Sequence, residues 1–326
     1  MKVAILGAGA WGCALANILA GNKMRVTVWG HNAERLRDMA RLRANPRYLP
    51  DIPLAPELHF NPDLAQTVAE AQFIIVSVPS QAFREVATSL AHFQGTAVSV
   101  TKGIEHKTGL TMSGILAQTA PHAKIAALSG PTLAPEIARG IPAAIVAASA
   151  DLATATEVQR LFHRPNFRVY TSSDLRGVEL GGALKNVIAI SAGICDGLGF
   201  GDNSKAALVT RSLAEIRRLG VACGSQTETF SGLSGLGDLM VTCFSRLSRN
   251  RGFGERLGRG EKLETVLATS TSVAEGYPTA RSACELARQL NISTPVIDEV
   301  YAVLYQAKNP AQALRDLISR EQKAED

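Results

Sequence analysis

MKVAILGAGAWGCALANILAGNKMRVTVWG, residues 1–30, is the stretch whose reading sets the fold. Val3 to Leu6 is an apolar run of strand length. Gly7-Ala8-Gly9-Ala10-Trp11-Gly12 follows at once, and Ala14, Leu15, Ile18 and Leu19 then recur at helical spacing. Val26 to Trp29 closes a unit of about 30 residues. Strand, glycine turn, helix and strand in that order are the setting that a G-x-G-x-x-G dinucleotide fingerprint requires. Gly7 permits the tight turn, and Gly9 has no side chain to hold a pyrophosphate off the backbone. Gly12 lets the helix lie close on the sheet, and the N–H groups of the first helical turn face the phosphates.

The end of the second strand bears on the choice of cofactor. An NAD site usually places Asp or Glu there, about 20 residues past the glycines, to hold the ribose 2′-hydroxyl. Here the chain reads Trp29-Gly30-His31-Asn32, and the first acid is Glu34. No carboxylate stands where it would repel a 2′-phosphate, and His31 or Arg35 could contact one. NADP is therefore preferred, with NAD also possible. His31 and Asn32 equally suit the cap of the following helix.

Working outward, strand and helix patterns alternate. Asn32 to Leu42 reads as a helix, Pro46 to Pro62 as a proline-rich loop, and Asn61-Pro62 as the cap and first turn of another helix. Phe73–Val78, Ala97–Val100, Ile125–Leu128, Ala143–Ala147 and Phe167–Tyr170 read as strands, with helices over Ser80–His92 and Asp151–Phe162. After Thr171 the strand-like runs stop. Helices are expected from Asn203, as a cap, to Gly220, and over 260–269, 278–290, 295–306 and 310–319, the last capped by Asn309. The expected fold class is α/β: a Rossmann-like doubly wound parallel sheet with a C-terminal all-helical domain. Residues 1–172 form the dinucleotide-binding domain and 173–326 the helical substrate and catalytic domain.

A length of 326 residues accommodates two cores, and 46% apolar with 19% charged residues is ordinary for a globular chain. The net charge of +5 is dispersed, without basic runs or interleaved aromatics. It suits a small anionic ligand better than a nucleic acid. No apolar stretch is expected to reach the ~18 residues of a membrane span. The glycines in the opening stretch argue against a signal peptide. The five cysteines are scattered, with no C-x-x-C pair. They read as small buried residues of a cytoplasmic protein, with neither a disulfide framework nor a metal site.

Four further segments carry candidate chemistry. In Gly177-Val-Glu-Leu-Gly181-Gly182-Ala-Leu-Lys185-Asn186, a helix would align Gly177, Gly181, Lys185, Ala189 and Ala192 on one face of small residues. That face is either a close helix contact with Lys185 at its edge or a flat wall for nicotinamide and substrate. In the second case Lys185 is the proton donor and acceptor, a task that needs a lowered pKa. Asp238 and Thr242 stand four apart after a glycine-rich turn. They either begin a helix or project together toward a polyol, with Asp238 orienting Lys185. Ser248-Arg249-Asn250-Arg251 is a phosphate-binding arrangement of backbone N–H groups, guanidinium and amide, or else a solvated basic turn. Thr101-Lys102-Gly103 and Ser129-Gly130-Pro131-Thr132 leave strand ends on the expected ligand side.

Together these stretches resemble the bacterial NAD(P)-dependent glycerol-3-phosphate dehydrogenases. GAGAWG, Val78-Pro79-Ser80, TKGIE at Thr101, SGPT at Ser129, GALKNVIAI at Gly181, GLGDL at Gly235, SRNRGFG at Ser248 and VAEG at Val273 carry the likeness over nearly the whole chain. The resemblance implies interconversion of dihydroxyacetone phosphate and sn-glycerol 3-phosphate, with reduction supplying phospholipid synthesis. It implies Lys185 as general acid/base, with Lys102 and Asp238 beside it. It puts Gly130, Thr132, Ser248, Arg249 and Asn250 at substrate positions, and Ala10, Trp11, His31, Lys102, Ala134, Arg249, Val273 and Glu275 at cofactor positions beside Gly7, Gly9 and Gly12. Ala10 and Cys13 depart from the serine and threonine of many members, which removes one side-chain contact to the pyrophosphate and leaves the backbone cradle. A β-hydroxyacid dehydrogenase and a redox-sensing regulator are the rival readings. The apolar C-terminal helices allow a homodimer.

Overall fold

The computed structural model describes residues 1–270 and 273–319. Lys2–Leu6 (β1) lies inside an eight-stranded sheet. The other strands are Arg25–Trp29 (β2), His59–Asn61 (β3), Phe73–Val76 (β4), Thr96–Ser99 (β5), Lys124–Ser129 (β6), Ala143–Ala148 (β7) and Phe167–Ser172 (β8). Their spatial order is β8-β7-β6-β5-β4-β1-β2-β3. Bonded to β2 on one edge and β4 on the other, β1 is an interior strand, and packed side chains cover both its faces. Val3 and Ile5 join the core of Leu15 and Leu19 from helix α1 (Ala10–Gly21), while Ala4 and Leu6 join that of Phe83 and Leu116. The alternation follows from the two-residue period of a strand, and a strand buried on both faces reads as a continuous apolar run.

The sheet is parallel from β3 to β6, and then the direction reverses. β7 runs antiparallel to β6, and β8 parallel to β7. This qualifies the expectation of a wholly parallel sheet. A parallel neighbour needs a crossover that returns along the sheet. The segment between β6 and β7 holds only the five-residue helix Ala134–Ala138, roughly 8 Å long, so the chain re-enters from the end it left. The eleven-residue helix Leu152–Phe162 does cross over and restores parallel pairing.

Several local expectations are corrected. Asn61 ends β3 rather than capping a helix; its carboxamide accepts the Asp63 N–H, and Asp63 caps Leu64–Ala69. A two-stranded ribbon, Ala44–Asn45 with Leu49–Pro53, spans the start of the proline-rich loop. Ser80–Leu90 is broken into two 3₁₀ turns flanking Phe83–Ala87.

β8 gives way to Leu175–Gly197 (α2), capped by Asp174, whose carboxylate accepts the Gly177 N–H at 2.9 Å. Every residue of α2 from Gly177 to Cys195 is buried. Five helices of this half pack around it: Asp202–Ala222 (α3), Asp238–Phe244 (α4), Arg249–Gly258 (α5), Gly276–Gln289 (α6) and Pro295–Tyr305 (α7), with Leu263–Thr269 and Pro310–Ile318 further out. Gly201, not Asn203, precedes α3. Gly220 lies inside that helix and does not end it; a side chain there would strike the Phe230 ring at 2.0 Å. Among the described residues, α2 alone is long and apolar enough to cross a membrane, with mean hydropathy 1.4. That corrects the expectation of no such stretch, and its fully buried surface makes it the central core helix of this half.

Candidate active site

The carboxyl ends of the parallel strands meet the N-terminal ends of α4 and α5 against the middle of α2. At the glycine turn, Gly7 has φ +128° and donates its N–H to Trp29 O at 2.9 Å. A Cβ on Gly7 would meet Ser77 O, and one on Gly12 would lie 2.0 Å from Gly7 O. A Cβ on Gly9 would meet nothing within 4 Å. Gly9 begins α1 without any side-chain cap, and no acidic residue stands in the first turn. The N–H groups at Ala10 and Trp11 thus form an open, electropositive cradle, which fits a pyrophosphate. His31 is exposed just beyond β2, and Asn32 caps the next helix by accepting the Arg35 N–H at 2.9 Å. A 2′-phosphate therefore meets no carboxylate at the strand end, which agrees with NADP. Ala134 opens a second uncapped helix, packed against α1.

Asp238 lies at the centre of the cluster and is 1% exposed. One of its oxygens is 2.5 Å from Lys102 Nζ and the other 2.9 Å from Lys185 Nζ. Lys102 Nζ also donates to Gly130 O at 3.0 Å, and the Thr132 hydroxyl donates to the same carbonyl at 3.0 Å. Lys185 Nζ donates to Thr242 Oγ1 at 2.6 Å, and that hydroxyl donates to Asp238 O. Two ammonium groups around one carboxylate leave net positive charge in a site of low dielectric, suited to an anionic ligand. The Lys185 ammonium lies at about 8 instead of 10.5: burial lowers it most, Asp238 opposes that, and Lys102 lowers it further. A lysine near that value exchanges a proton close to working pH.

Ser248 caps α5 with its hydroxyl, accepting the Arg251 N–H at 3.2 Å. Arg249 opens onto solvent but is closely surrounded by protein, as in a cleft. Burial holds its guanidinium below the usual arginine value, opposed by the Glu275 carboxylate. Asn250 Nδ2 donates to Asn186 Oδ1 at 2.9 Å, and Asn250 Oδ1 accepts the Gly276 N–H at 2.8 Å. Asn186 adjoins Lys185, so the Arg249 turn and the lysine are tied together. Glu275 accepts from Ser80 N at 3.1 Å and Ser80 Oγ at 2.5 Å. Val273, before it, is exposed.

The geometry brings Lys102, Asp238, Lys185, Gly130, Thr132 and the Ser248–Asn250 turn into one neighbourhood. The glycine turn reaches it through Ser77–Ser80, and His31 lies at the far end of β2. The small-residue face of α2 is used for packing at Gly181, whose Cβ would stand 2.6 Å from Ser234 O. There it is a helix–turn contact and not an open wall. Sequence reasoning passed over the Ser129 hydroxyl, which is buried without a hydrogen-bond partner beside Gly182 and the Lys102 stem. An orphaned buried hydroxyl at a ligand cleft offers one donor and one acceptor. Its place in the SGPT stretch was the available signal.

The sequence model described as NAD-dependent glycerol-3-phosphate dehydrogenase N-terminus matches residues 2–155, and its C-terminus counterpart matches residues 174–315. The chain belongs to that family. Among its relatives, the glycerol-3-phosphate dehydrogenase [NAD(P)+] of Geobacter sulfurreducens is 47% identical over 99% of this chain and 98% of its own length. That of Trichlorobacter lovleyi is 48% identical over 100% and 99%. The crystal structure of the glycerol-3-phosphate dehydrogenase from Coxiella burnetii superposes with a TM-score of 0.95 at 36% identity, covering 98% of this chain and 99% of that one. Membership of the glycerol-3-phosphate dehydrogenase family removes the β-hydroxyacid dehydrogenase alternative.

Proposed function

We propose that this protein interconverts dihydroxyacetone phosphate and sn-glycerol 3-phosphate using NADP(H) in preference to NAD(H), and supplies the glycerol phosphate from which phospholipids are built. The observation that carries the reading is the single buried carboxylate of Asp238 held between the ammonium groups of Lys102 and Lys185. Residues 1–172 hold the dinucleotide and 173–326 the substrate. Five free cysteines fit a reducing cytoplasm.

When bound, NADPH supplies the hydride that adds to C2 of the ketone. The Arg249 guanidinium, the Asn250 side chain and the backbone N–H groups of Arg249 and Asn250 at the start of α5 grip the phosphate. Lys185 holds its proton at Nζ, directed by Asp238 and Thr242, and gives it to the C2 oxygen as the C–H bond forms. Lys102 adds positive charge where the alkoxide develops. In the oxidative direction neutral Lys185 takes the hydroxyl proton back.

Absorbance at 340 nm tests this. It should fall when dihydroxyacetone phosphate is added to protein and NADPH, and stay level with β-hydroxyacid-derived ketones. Lys185→Ala should lower kcat by about 10²–10⁴-fold, the range of general acid–base catalysis. Near-normal turnover in that variant removes the role assigned to Lys185.

A further inference from the structure

We propose that Asp196 positions the phosphate-gripping turn by holding Arg251, and so sets affinity for the substrate's phosphate without touching it. The proposal rests on the function given above. Arg249, Asn250 and Arg251 are the first three residues of α5. The Asp196 carboxylate, near the end of α2, lies 2.6 Å from Arg251 Nε through one oxygen. Its other oxygen is 2.5 Å from Lys205 Nζ of α3. Arg251 Nη1 is also 3.2 Å from Glu255, one turn further along α5. Lys205 is buried, and its ammonium lies 5.1 Å from the centre of the Phe244 ring, the last residue of α4. One carboxylate thus ties together the helices that carry Lys185, Asp238 and Arg249.

The packing of α2 on α5 shows what this contact adds. A Cβ on Gly193 would stand 2.0 Å from Arg251 O, and one on Gly197 2.3 Å from Glu255 O. Such glycine contacts set how closely the helices approach, but they have no directional partner and leave α5 able to slide. Asp196, set between the two glycines in sequence, adds a strong short-range attraction that fixes the register. The Arg251 N–H is taken by the Ser248 hydroxyl, so backbone and guanidinium of Arg251 are both engaged within the protein. Lys205 and Arg251 are matched by Asp196 and Glu255, and exposed Arg259 reaches Glu255 from outside. These charges answer one another, so the cluster holds the turn and does not compete for the phosphate.

About three turns of α2, or 16 Å of rise, separate Asp196 from Lys185. Asp196 therefore acts through Arg251 and is a positioning residue. A displacement of about 1 Å can cost about 10²-fold. Lys185 keeps its own contacts to Asp238 and Thr242 whatever happens at Asp196. The loss should accordingly fall on substrate affinity more than on turnover.

The test compares wild type, Asp196→Asn, Asp196→Glu and Arg251→Gln. Turnover is read at 340 nm with dihydroxyacetone phosphate, and the turn itself by the Ki of inorganic phosphate as a competing inhibitor. NADPH affinity is read by quenching of the fluorescence of Trp11 and Trp29. Asp196→Asn keeps the shape and removes the charge. Its KM for the ketone and its phosphate Ki should rise together by about 10–100-fold, and Arg251→Gln should behave alike. In both, kcat should fall less than about threefold and the NADPH Kd stay within about twofold.

A phosphate contact made by Arg251 itself gives a different split: weaker phosphate in Arg251→Gln, but unchanged or tighter phosphate in Asp196→Asn, where the guanidinium is released. That split overturns the proposal. So does a lowered Tm with wild-type KM and Ki, or an NADPH Kd that rises in step with them. Asp196→Glu decides if Asp196→Asn does not fold: the charge remains and the longer stem displaces Arg251, so KM and Ki should again rise, and wild-type values overturn the proposal. Failure of wild type to oxidise NADPH with the ketone strikes the proposed function, whereas active wild type with unaffected variants strikes the role of Asp196 alone.

Discussion

Lys185 owes its chemistry to what surrounds it. A lysine amine in water is protonated almost throughout the physiological range; here burial beside another ammonium lowers its value to about 8. In the proposed mechanism ketone reduction uses the charged form, so its kcat/KM should be level below about pH 8 and decline above it. Alcohol oxidation uses the neutral form and should rise through the same pH. Asp238 is the group that holds the lysine up. Asp238→Asn removes that attraction while Lys102 still repels, so the alkaline limb should move to lower pH as well as lower rate. A limb that stays in place or moves upward contradicts the assignment. Lys185 and Asp238 stood out as candidates from the spacing in their own segments, and the family resemblance placed Lys102 beside them. That Asp238 bridges both lysines was not legible there, since Lys102 and Asp238 are 136 positions apart.

The elements divide the glycines into two kinds that sequence treats alike. Gly9 and Gly12 belong to one fingerprint, yet a methyl on Gly12 would collide with Gly7 O at 2.0 Å, and one on Gly9 would meet only open space. Gly9 also has φ −82°, ordinary for alanine. Gly12→Ala should therefore lower thermal stability, by about 1–3 kcal/mol as for other overpacked sites. Gly9→Ala should leave Tm unchanged and weaken NADPH binding. Calorimetry and fluorescence quenching on the two variants check both, and equal Tm loss in both refutes the distinction. A similar contact joins α2 to α5. A Cβ on Gly193 would stand 2.0 Å from Arg251 O, and one on Gly254 2.0 Å from Ile190 O. Backbones that approach this closely bring Asn250 within reach of Asn186. The helical texture of this half was legible, but which glycines mark helix ends and which mark crossings was not. Gly220 illustrates the difficulty: it looks like a terminator and is a seat for Phe230.

At the scale of the whole molecule, buried carboxylates join separate elements. Glu179 of α2 accepts from the Ser113 N–H at 2.9 Å and from its hydroxyl, and Glu215 of α3 accepts the Val296 N–H at 2.9 Å at the start of α7. Burial raises Glu215 to about 7, opposed by the Val296 and Ile297 N–H groups and by Arg218 and reinforced by Asp298. The folded state thus binds more protons than the unfolded one between pH 4.5 and about 7. Its contribution to stability is full below pH 4.5 and is lost as pH rises through 7. Glu215→Gln keeps an acceptor for Val296 and should remove up to about 3 kcal/mol of that slope. Thermal unfolding of both proteins across this window checks it, and parallel pH profiles contradict it. The sequence by itself determined the nucleotide-binding unit, the sheet followed by helices, and the identity of the candidate groups. Strand and helix periods and the fingerprint glycines act over neighbouring residues, so their signal is local. Only the tertiary structure decided the reversal of β7 and β8, the bridging of two lysines by Asp238 and the grip of Glu275 on Ser80. Each of these depends on where remote segments meet, and burial there sets both the charge states and the space left for a ligand.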